Sequence, residues 1–305
     1  MYLGFDTSNY TTSVAYLDGN MGENCSKLLD VKQGELGLRQ SDAVFSHVKR
    51  LPEMADALFA SVDRSKIKAI GVSSRPRAIE GSYMPCFLVG VCAAKTMAAA
   101  LNVPCYEFSH QQGHIAAALW SAGRMDLMKI PHLAWHLSGG TTELLLVRPE
   151  KNNVHAEKIG GSSDISAGQV MDRTGKMLGL QFPSGKELDL LAQNGQAGDY
   201  FKVKTNGFEF SLSGLENMFS EYQSRGAKPE DVAYYAVKSV CKAVVQVTKS
   251  ALTHYPVYPV VFSGGVSSNT MLRKQCAAFS PVFAQPAYST DNALGIAVLA
   301  SLQEK

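Results

Sequence analysis

The chain has six cysteines and no Cys-x-x-Cys pair among them. A zinc knuckle or a dithiol redox motif needs that spacing, so neither is expected. They are scattered, several in apolar company, and the six read as reduced thiols of a cytoplasmic protein. An excess of charge of one sign is also missing. Lys and Arg number 29 against 27 Asp and Glu, a net charge of +2. A dedicated nucleic-acid binder is usually more basic, although a small basic patch fits within a near-neutral total. Charged residues make up 18% and apolar residues 46%, which suits a globular chain with a sizeable core. Long apolar runs are absent too. The most apolar stretch, 86–101, contains Lys95 and is too short for a bilayer. The opening MYLGFDTSNY lacks a basic start followed by an apolar stretch, so no signal peptide and no membrane are expected.

What is present is a repeated hairpin. Residues 2–6 and 13–17 read as strands around TSNYTT, and 132–137 and 143–148 as strands around SGGTT. Each unit is strand, short polar turn ending in Thr-Thr, strand. Two copies about 130 residues apart suggest two related domains. Between them, 40–62 has helical spacing with an expected break near Pro52. A strand is expected at 67–74, a buried helix at 86–101, a strand at 103–108 and a helix at 110–122. The second half repeats this rhythm. A helix over 164–180 should stop at Gly179, and a loop-rich insertion follows over about 181–213. A long helix at 229–253, a strand at 258–263, a helix from 268 and a last helix from 291 complete the chain. Alternating strands and helices predict an α/β fold.

The turns are small and polar. Successive backbone N–H groups in a Gly/Ser/Thr turn form an anion-binding concavity, and glycine leaves room for a phosphate to approach. A third such turn, FSGGVSSN at 262–269, follows a strand and leads into a helix, whose N-terminus also favours anions. Three ordinary tight turns are the plain alternative.

His110 and His114 lie four apart on the predicted helix, so both imidazoles share one face, close enough to share a metal. His132 and His136 have the same spacing on a predicted strand. There four residues span roughly 13 Å, so that pair cannot chelate one ion. A zinc peptidase would need Glu after the first histidine as general base; Gln111 stands there, which argues against hydrolysis by that route. Two histidines need a carboxylate from elsewhere. Asp291 is a candidate, with a helix N-cap as its alternative role.

Taken together, HQQGH, HLSGGTTEL, SAGQVMDRTGKMLGLQFPSGKELD, FSLSGL, FSGGVSSN and STDNALGIA resemble, in order and over nearly the whole chain, the bacterial tRNA threonylcarbamoyladenosine transferase family, long labelled O-sialoglycoprotein endopeptidase or glycoprotease-like. The resemblance implies an actin-like, sugar-kinase-like ATPase fold of two ribonuclease-H-like domains with a nucleotide cleft between them. The halves would be 1–108 with 290–305, and 109–289. It also implies transfer of a carbamoyl group from an adenylate to the N6 amine of a tRNA adenosine, beside one iron or zinc ion. Carried over by motif, the metal ligands would be His110, His114 and Asp291. Ser138, Gly139 and Gly140 would meet phosphate. Asp172 and Asp189 would hold ribose hydroxyls, with Gly185 and Asn269 as further nucleotide contacts. Without the resemblance, Asp172 reads as a solvent-facing helix charge. The implied partners are an adenine nucleotide, tRNA and other threonylcarbamoylation proteins.

The chain departs from the family pattern at several points. Asn9, Tyr10 and Thr11 replace a Cys-Asp-Glu type of stretch, and Thr141 stands in place of a third histidine. SRPRAIEGSYMP at 74–85 replaces a Gly-Pro-Gly segment, and Ser184 replaces a glycine. The lost carboxylates and imidazole are groups suited to moving a proton from an attacking amine, and no catalytic residue is singled out. The reading is therefore a divergent paralogue. It is either a metal-dependent transferase or a non-catalytic nucleotide-binding subunit or scaffold. A kinase-like phosphotransferase is a third possibility by fold analogy alone. Arg75 and Arg77 could bind an anion or be surface charges. The basic clusters Lys49-Arg50, Lys66/Lys68 and Lys202/Lys204 are equally well read as solvated faces.

Overall fold

Apolar runs alternating with amphipathic ones fold as strands alternating with helices. In the computed structural model the described residues are 1–8, 10–30, 38–60, 62–196 and 200–304. Asn9 of the first turn lies outside them. The elements begin with β1 (Tyr2–Asp6), β2 (Thr11–Asp18), β3 (Met21–Leu28), α1 (Gln40–Phe59), β4 (Ala69–Arg75), α2 (Phe87–Leu101), β5 (Cys105–Ser109) and α3 (His110–Ser121). They continue with β6 (His132–Leu137), β7 (Thr142–Glu150), β8 (Asn153–Ser162), α4 (Ala167–Met177) and α5 (Gly185–Ala192). The last are β9 (Thr205–Asn206), β10 (Glu209–Phe210), α6 (Leu215–Ser224), α7 (Pro229–His254), β11 (Val260–Ser263), α8 (Thr270–Cys276), β12 (Val282–Phe283) and α9 (Leu294–Gln303). No helix among the described residues is long and apolar enough to cross a membrane.

The chain divides into two compact units. The first is Met1–Ile130, Arg148–Ala156 and Ala287–Lys305; the second is Pro131–Val147 and Glu157–Pro286. Residues 109–130, expected with the second half, therefore cluster with the first. The α3 backbone packs on α9 through paired glycines, and that contact overrides the expected boundary.

The two sheets repeat one plan. The first has the order β3-β2-β1-β4-β5, and the second contains β8-β7-β6-β11-β12, extended beyond β8 by β10 and β9. In each, the hairpin is antiparallel and the next two strands are parallel to its first strand or to each other. The doubled hairpin read from the sequence is thus the start of a doubled sheet. Leu3, Phe5, Val14, Ile70 and Val72 fill the first core, and Trp135, Leu144, Phe210, Val240 and Phe262 the second.

Within the first unit α9 lies directly on β1, β4 and α3. A Cβ on Gly4 would sit 2.2 Å from the Ala293 carbonyl oxygen, and one on Gly295 would sit 1.9 Å from the Gly113 oxygen. Only hydrogen fits at either place. Gly295→Ala is expected to cost about 3 kcal/mol through overpacking and to lower the melting temperature by about 5–10 °C. A thermal melt checks this.

Several elements differ from the sequence reading. Helix α1 runs unbroken through Pro52. Proline removes the bond to the Val48 carbonyl, four residues back, but Val48 is 55% exposed, so water can take that oxygen. The 181–213 insertion is less irregular than expected, since it carries α5, β9 and β10. The helix expected from 291 begins at Leu294, with Ala293 at its N-cap position. Asp291 is therefore not a cap. Gly179 does end its helix, at φ +80°.

His47, in α1, is fully buried and shares a 2.8 Å hydrogen bond with the Thr12 hydroxyl through Nδ1. Burial pushes its pKa down to about 4. The unfolded chain, with an ordinary histidine, binds the proton first as pH falls. Stability is therefore expected to drop between pH 6.5 and 4, by at most about 3 kcal/mol. His47→Gln should flatten that part of the denaturation profile.

Candidate functional site

Helix α3 begins where β5 ends, and its start is tightly specified. Ser109 is the N-cap. Its hydroxyl accepts from the Gln112 amide at 3.2 Å, and the Gln112 side chain accepts from the Ser109 amide at 2.9 Å, a closed capping box. Gln112 also donates to the Val154 carbonyl at 2.8 Å, and the Gln111 amide to the Pro76 carbonyl at 3.1 Å. His110 thus stands at the first helical position and His114 one turn later, both facing the segment before α9.

There Asp291 meets them. The two Nε2 atoms are 3.0 Å apart, and the Asp291 Oδ1 is 3.3 Å from His114 Nε2 and 3.5 Å from His110 Nε2. These three residues form a group with metal-ligand geometry among the described residues. Donors about 2.1 Å from one ion lie roughly 3.0–3.4 Å from each other at octahedral or tetrahedral angles. The observed spacings match that, so the residues fit an ion. The His132–His136 pair lies along β6 and joins no such group among the described residues.

The electrostatics follow from burial and from two carboxylates. Burial alone would lower the His110 pKa, but Asp6 and Asp291 outweigh it and raise it to about 10. His114 is lowered, by burial and by the neighbouring His110 charge. Burial works against the Asp291 carboxylate, yet hydrogen bonds from both histidines hold it well below the usual range. Asp6 was not singled out from the sequence. It ends β1, is 1% exposed, and its Oδ2 lies 2.8 Å from His110 Nδ1. A buried carboxylate at the end of an apolar strand was the available signal.

In the second unit the turn between β6 and β7 is closed by the Ser138 amide donating to the Thr141 carbonyl at 2.8 Å. The Ser138 hydroxyl accepts from the Thr141 amide at 3.1 Å. The turn rests on the start of α4. Ser166 donates to the Gly139 carbonyl at 2.5 Å, Ala167 N–H to the Thr142 hydroxyl at 2.7 Å, and Gly168 comes so close that a Cβ would lie 2.5 Å from Gly139 Cα. Gly139 and Gly140 themselves are exposed, and a Cβ on either would meet nothing within 4 Å. Packing does not require glycine there.

The remaining named residues adjoin the same helices. Asp172, on α4, is half-buried, which raises its pKa, and accepts from the Ser184 amide at 2.9 Å. The solvent-facing reading of it is corrected: the chain before α5 folds over it. Ser184, standing for a glycine, is accommodated because its side chain lies against Gly175, which has none. Gly185 opens α5 with open space at its Cβ position. Asp189, one turn on, accepts from the Asn269 side chain and the Thr270 hydroxyl, both at 2.8 Å, and from the Thr270 amide at 3.1 Å. Asn269 caps α8, accepting from Leu272 at 3.0 Å. The structure therefore brings Asp189 and Asn269 together, bonded to each other. Arg75 is half-buried at the end of β4, beside Ser109 in the sheet. A cavity of about 520 Å³ elsewhere in the first unit, lined by Lys66 and Lys68 among others, contains none of the residues named above for metal or nucleotide.

Comparison with known proteins bears on the fold and the family. Among solved structures, HypF from T. kodakarensis superposes with a TM-score of 0.60 at 15% identity, covering 99% of this chain and 48% of HypF. This chain thus spans about half the length of HypF. A ROK family glucokinase from Streptomyces griseus, solved with glucose and AMPPNP, gives a TM-score of 0.54 at 11% identity over 100% of this chain and 99% of that one. The fold is the α/β, actin-like and sugar-kinase-like ATPase fold. The chain is 32% identical over 293 residues to the tRNA N6-adenosine threonylcarbamoyltransferase of Lactococcus lactis subsp. cremoris, covering 90% of this chain and 82% of that protein. The family model for TsaD, the tRNA N6-adenosine threonylcarbamoyltransferase, matches residues 32–298. With that match spanning both units, the chain belongs to the tRNA N6-adenosine threonylcarbamoyltransferase family.

Proposed function

We propose that this chain is a metal-dependent transferase that moves a threonylcarbamoyl group from an adenylate to the N6 amine of a tRNA adenosine. One observation carries the reading: in a chain of this family, two imidazole Nε2 atoms and a carboxylate oxygen converge at 3.0–3.5 Å. His110, His114 and Asp291 would hold one iron or zinc ion, since two imidazoles and a carboxylate suit both metals. A bound ion would supply Lewis acidity toward a donor oxygen.

The chain's own residues would bind and orient the nucleotide. Gly139 and Gly140 expose a main chain that a phosphate can approach, and Ser138 holds that turn in shape. Asp172, Gly185, Asp189 and Asn269 are the further candidates beside it. Asp189 and Asn269 would act from within the hydrogen-bonded pair they already form. The two units are read as the two ribonuclease-H-like halves, and the setting as cytoplasmic. The decisive experiment supplies purified protein, an adenylate-forming partner, ATP, bicarbonate, labelled threonine and tRNA. Label is expected in tRNA; none, beside an active relative as control, overturns the reading.

A second reading is supported by Tyr10, Thr11 and Thr141, which leave the two turns without an acid pair or a third imidazole. The chain would then bind nucleotide as a non-catalytic partner of a true transferase. Thr141 is half-exposed, so Thr141→His fits without repacking. Under this reading the substitution creates or raises activity in the same assay. Brisk transfer by the unaltered chain ends it.

A further inference from the structure

We infer that Asp6 is a positioning residue for the ion site: its carboxylate fixes His110 with the proton on Nδ1, so that Nε2 presents a lone pair to the ion. The inference rests on the metal reading of that site and concerns a residue outside the proposed ligand set.

Asp6 is held rigidly. Its Oδ1 accepts from the Ser8 amide at 2.9 Å, and its Oδ2 accepts from the Ser73 hydroxyl and lies 2.8 Å from His110 Nδ1. At 1% exposure it has no access to water. An ionised carboxylate only accepts, so the nitrogen facing it must carry hydrogen. The other nitrogen, 3.0 Å from His114 and 3.5 Å from Asp291, is then the one that can yield its proton and bind metal. Carboxylate–imidazole–metal chains of this kind set the tautomer and the ring orientation.

An isosteric change separates this role from a merely structural one. In Asp6→Asn the Ser8 N–H requires the amide oxygen at the Oδ1 place. The amide nitrogen then takes the Oδ2 place and donates to His110 Nδ1, while the Ser73 hydroxyl turns to accept. His110 must move its proton to Nε2, where it blocks the ion. Asp6→Ala leaves the tautomer free instead. The conservative variant should therefore be the more harmful: about 100-fold weaker zinc binding for Asp6→Asn and about 10-fold for Asp6→Ala. If Asp6 served only to anchor the end of β1, that order would reverse.

The test is a competitive zinc titration of the full chain and both variants, with thermal melts to check folding. It is paired with long-range proton–nitrogen spectra of the histidine rings in the zinc-loaded wild type. Expected are one zinc per wild-type chain, His110 protonated on Nδ1 and metallated on Nε2, and the stated order of affinities. No zinc on the wild type overturns the metal reading itself. Zinc on the wild type with Asp6→Asn binding as well as Asp6→Ala, or better, overturns the Asp6 assignment alone. So does a loaded wild type whose His110 carries its proton on Nε2, and that outcome needs no variant to fold.

Discussion

Replacing His114 with alanine is expected to reduce metal content from one ion per chain to a trace. His114 contributes one of three donors, and its side chain is 2% exposed, so no water-mediated substitute is at hand. Loss of a residue that only orients a ligand already weakens metal binding by about 10–100-fold; loss of a ligand should exceed the upper end. Elemental analysis after dialysis, with a competitive titration, checks this. His136→Ala is the matched control, since its pair runs along a strand and should leave metal content unchanged. The same titration should depend on pH. In the ion-free chain Asp6 and Asp291 outweigh burial and favour the protonated form of His110, so an ion is expected to displace the Nε2 proton. Near pH 7 about one proton should leave per ion bound, and affinity should rise about tenfold per pH unit. Affinity that is flat with pH would mean that the ion binds elsewhere.

Gly140→Val is expected to abolish nucleotide binding while leaving the fold intact. A Cβ at Gly140 meets no atom within 4 Å, so the substitution should change stability by no more than about 0.5 kcal/mol. It does, however, put two methyl groups where a phosphate would approach the main chain. ATP affinity, read by calorimetry, should fall at least about 100-fold, equivalent to about 2.7 kcal/mol. Gly168→Val makes the useful contrast. Its Cβ would lie 2.5 Å from Gly139 Cα, so it should distort the turn and lower stability together with binding. If Gly140→Val binds ATP like the wild type, the β6–β7 turn is not the phosphate site.

What the sequence alone determined is what local spacing controls. Short apolar runs marked the strands. The two Thr-Thr hairpins announced a duplication that extends to the order of both sheets. Four-residue spacing on a capped helix put His110 and His114 on one face, and the same spacing on β6 kept His132 and His136 from forming a similar group. Asp291, 177 residues from His114, entered as a candidate carboxylate with a helix cap as its alternative role, and the motif resemblance favoured the ligand.

Tertiary structure decided the rest, because it depends on which distant surfaces pack. Glycines at 4, 113 and 295 let α9 approach β1 and α3, and that approach delivers Asp291 to the histidines. It also moved the unit boundary past α3. Pro52 stayed inside α1, where Val48, whose carbonyl it deprives of an amide donor, is exposed. Asp172 is covered by the chain before α5, and Asp189 is engaged by Asn269 and Thr270. Asp6 found His110 through parallel pairing of β1, β4 and β5, the strand that leads into α3. A periodicity describes one element's faces; it holds no information about which face another element will meet.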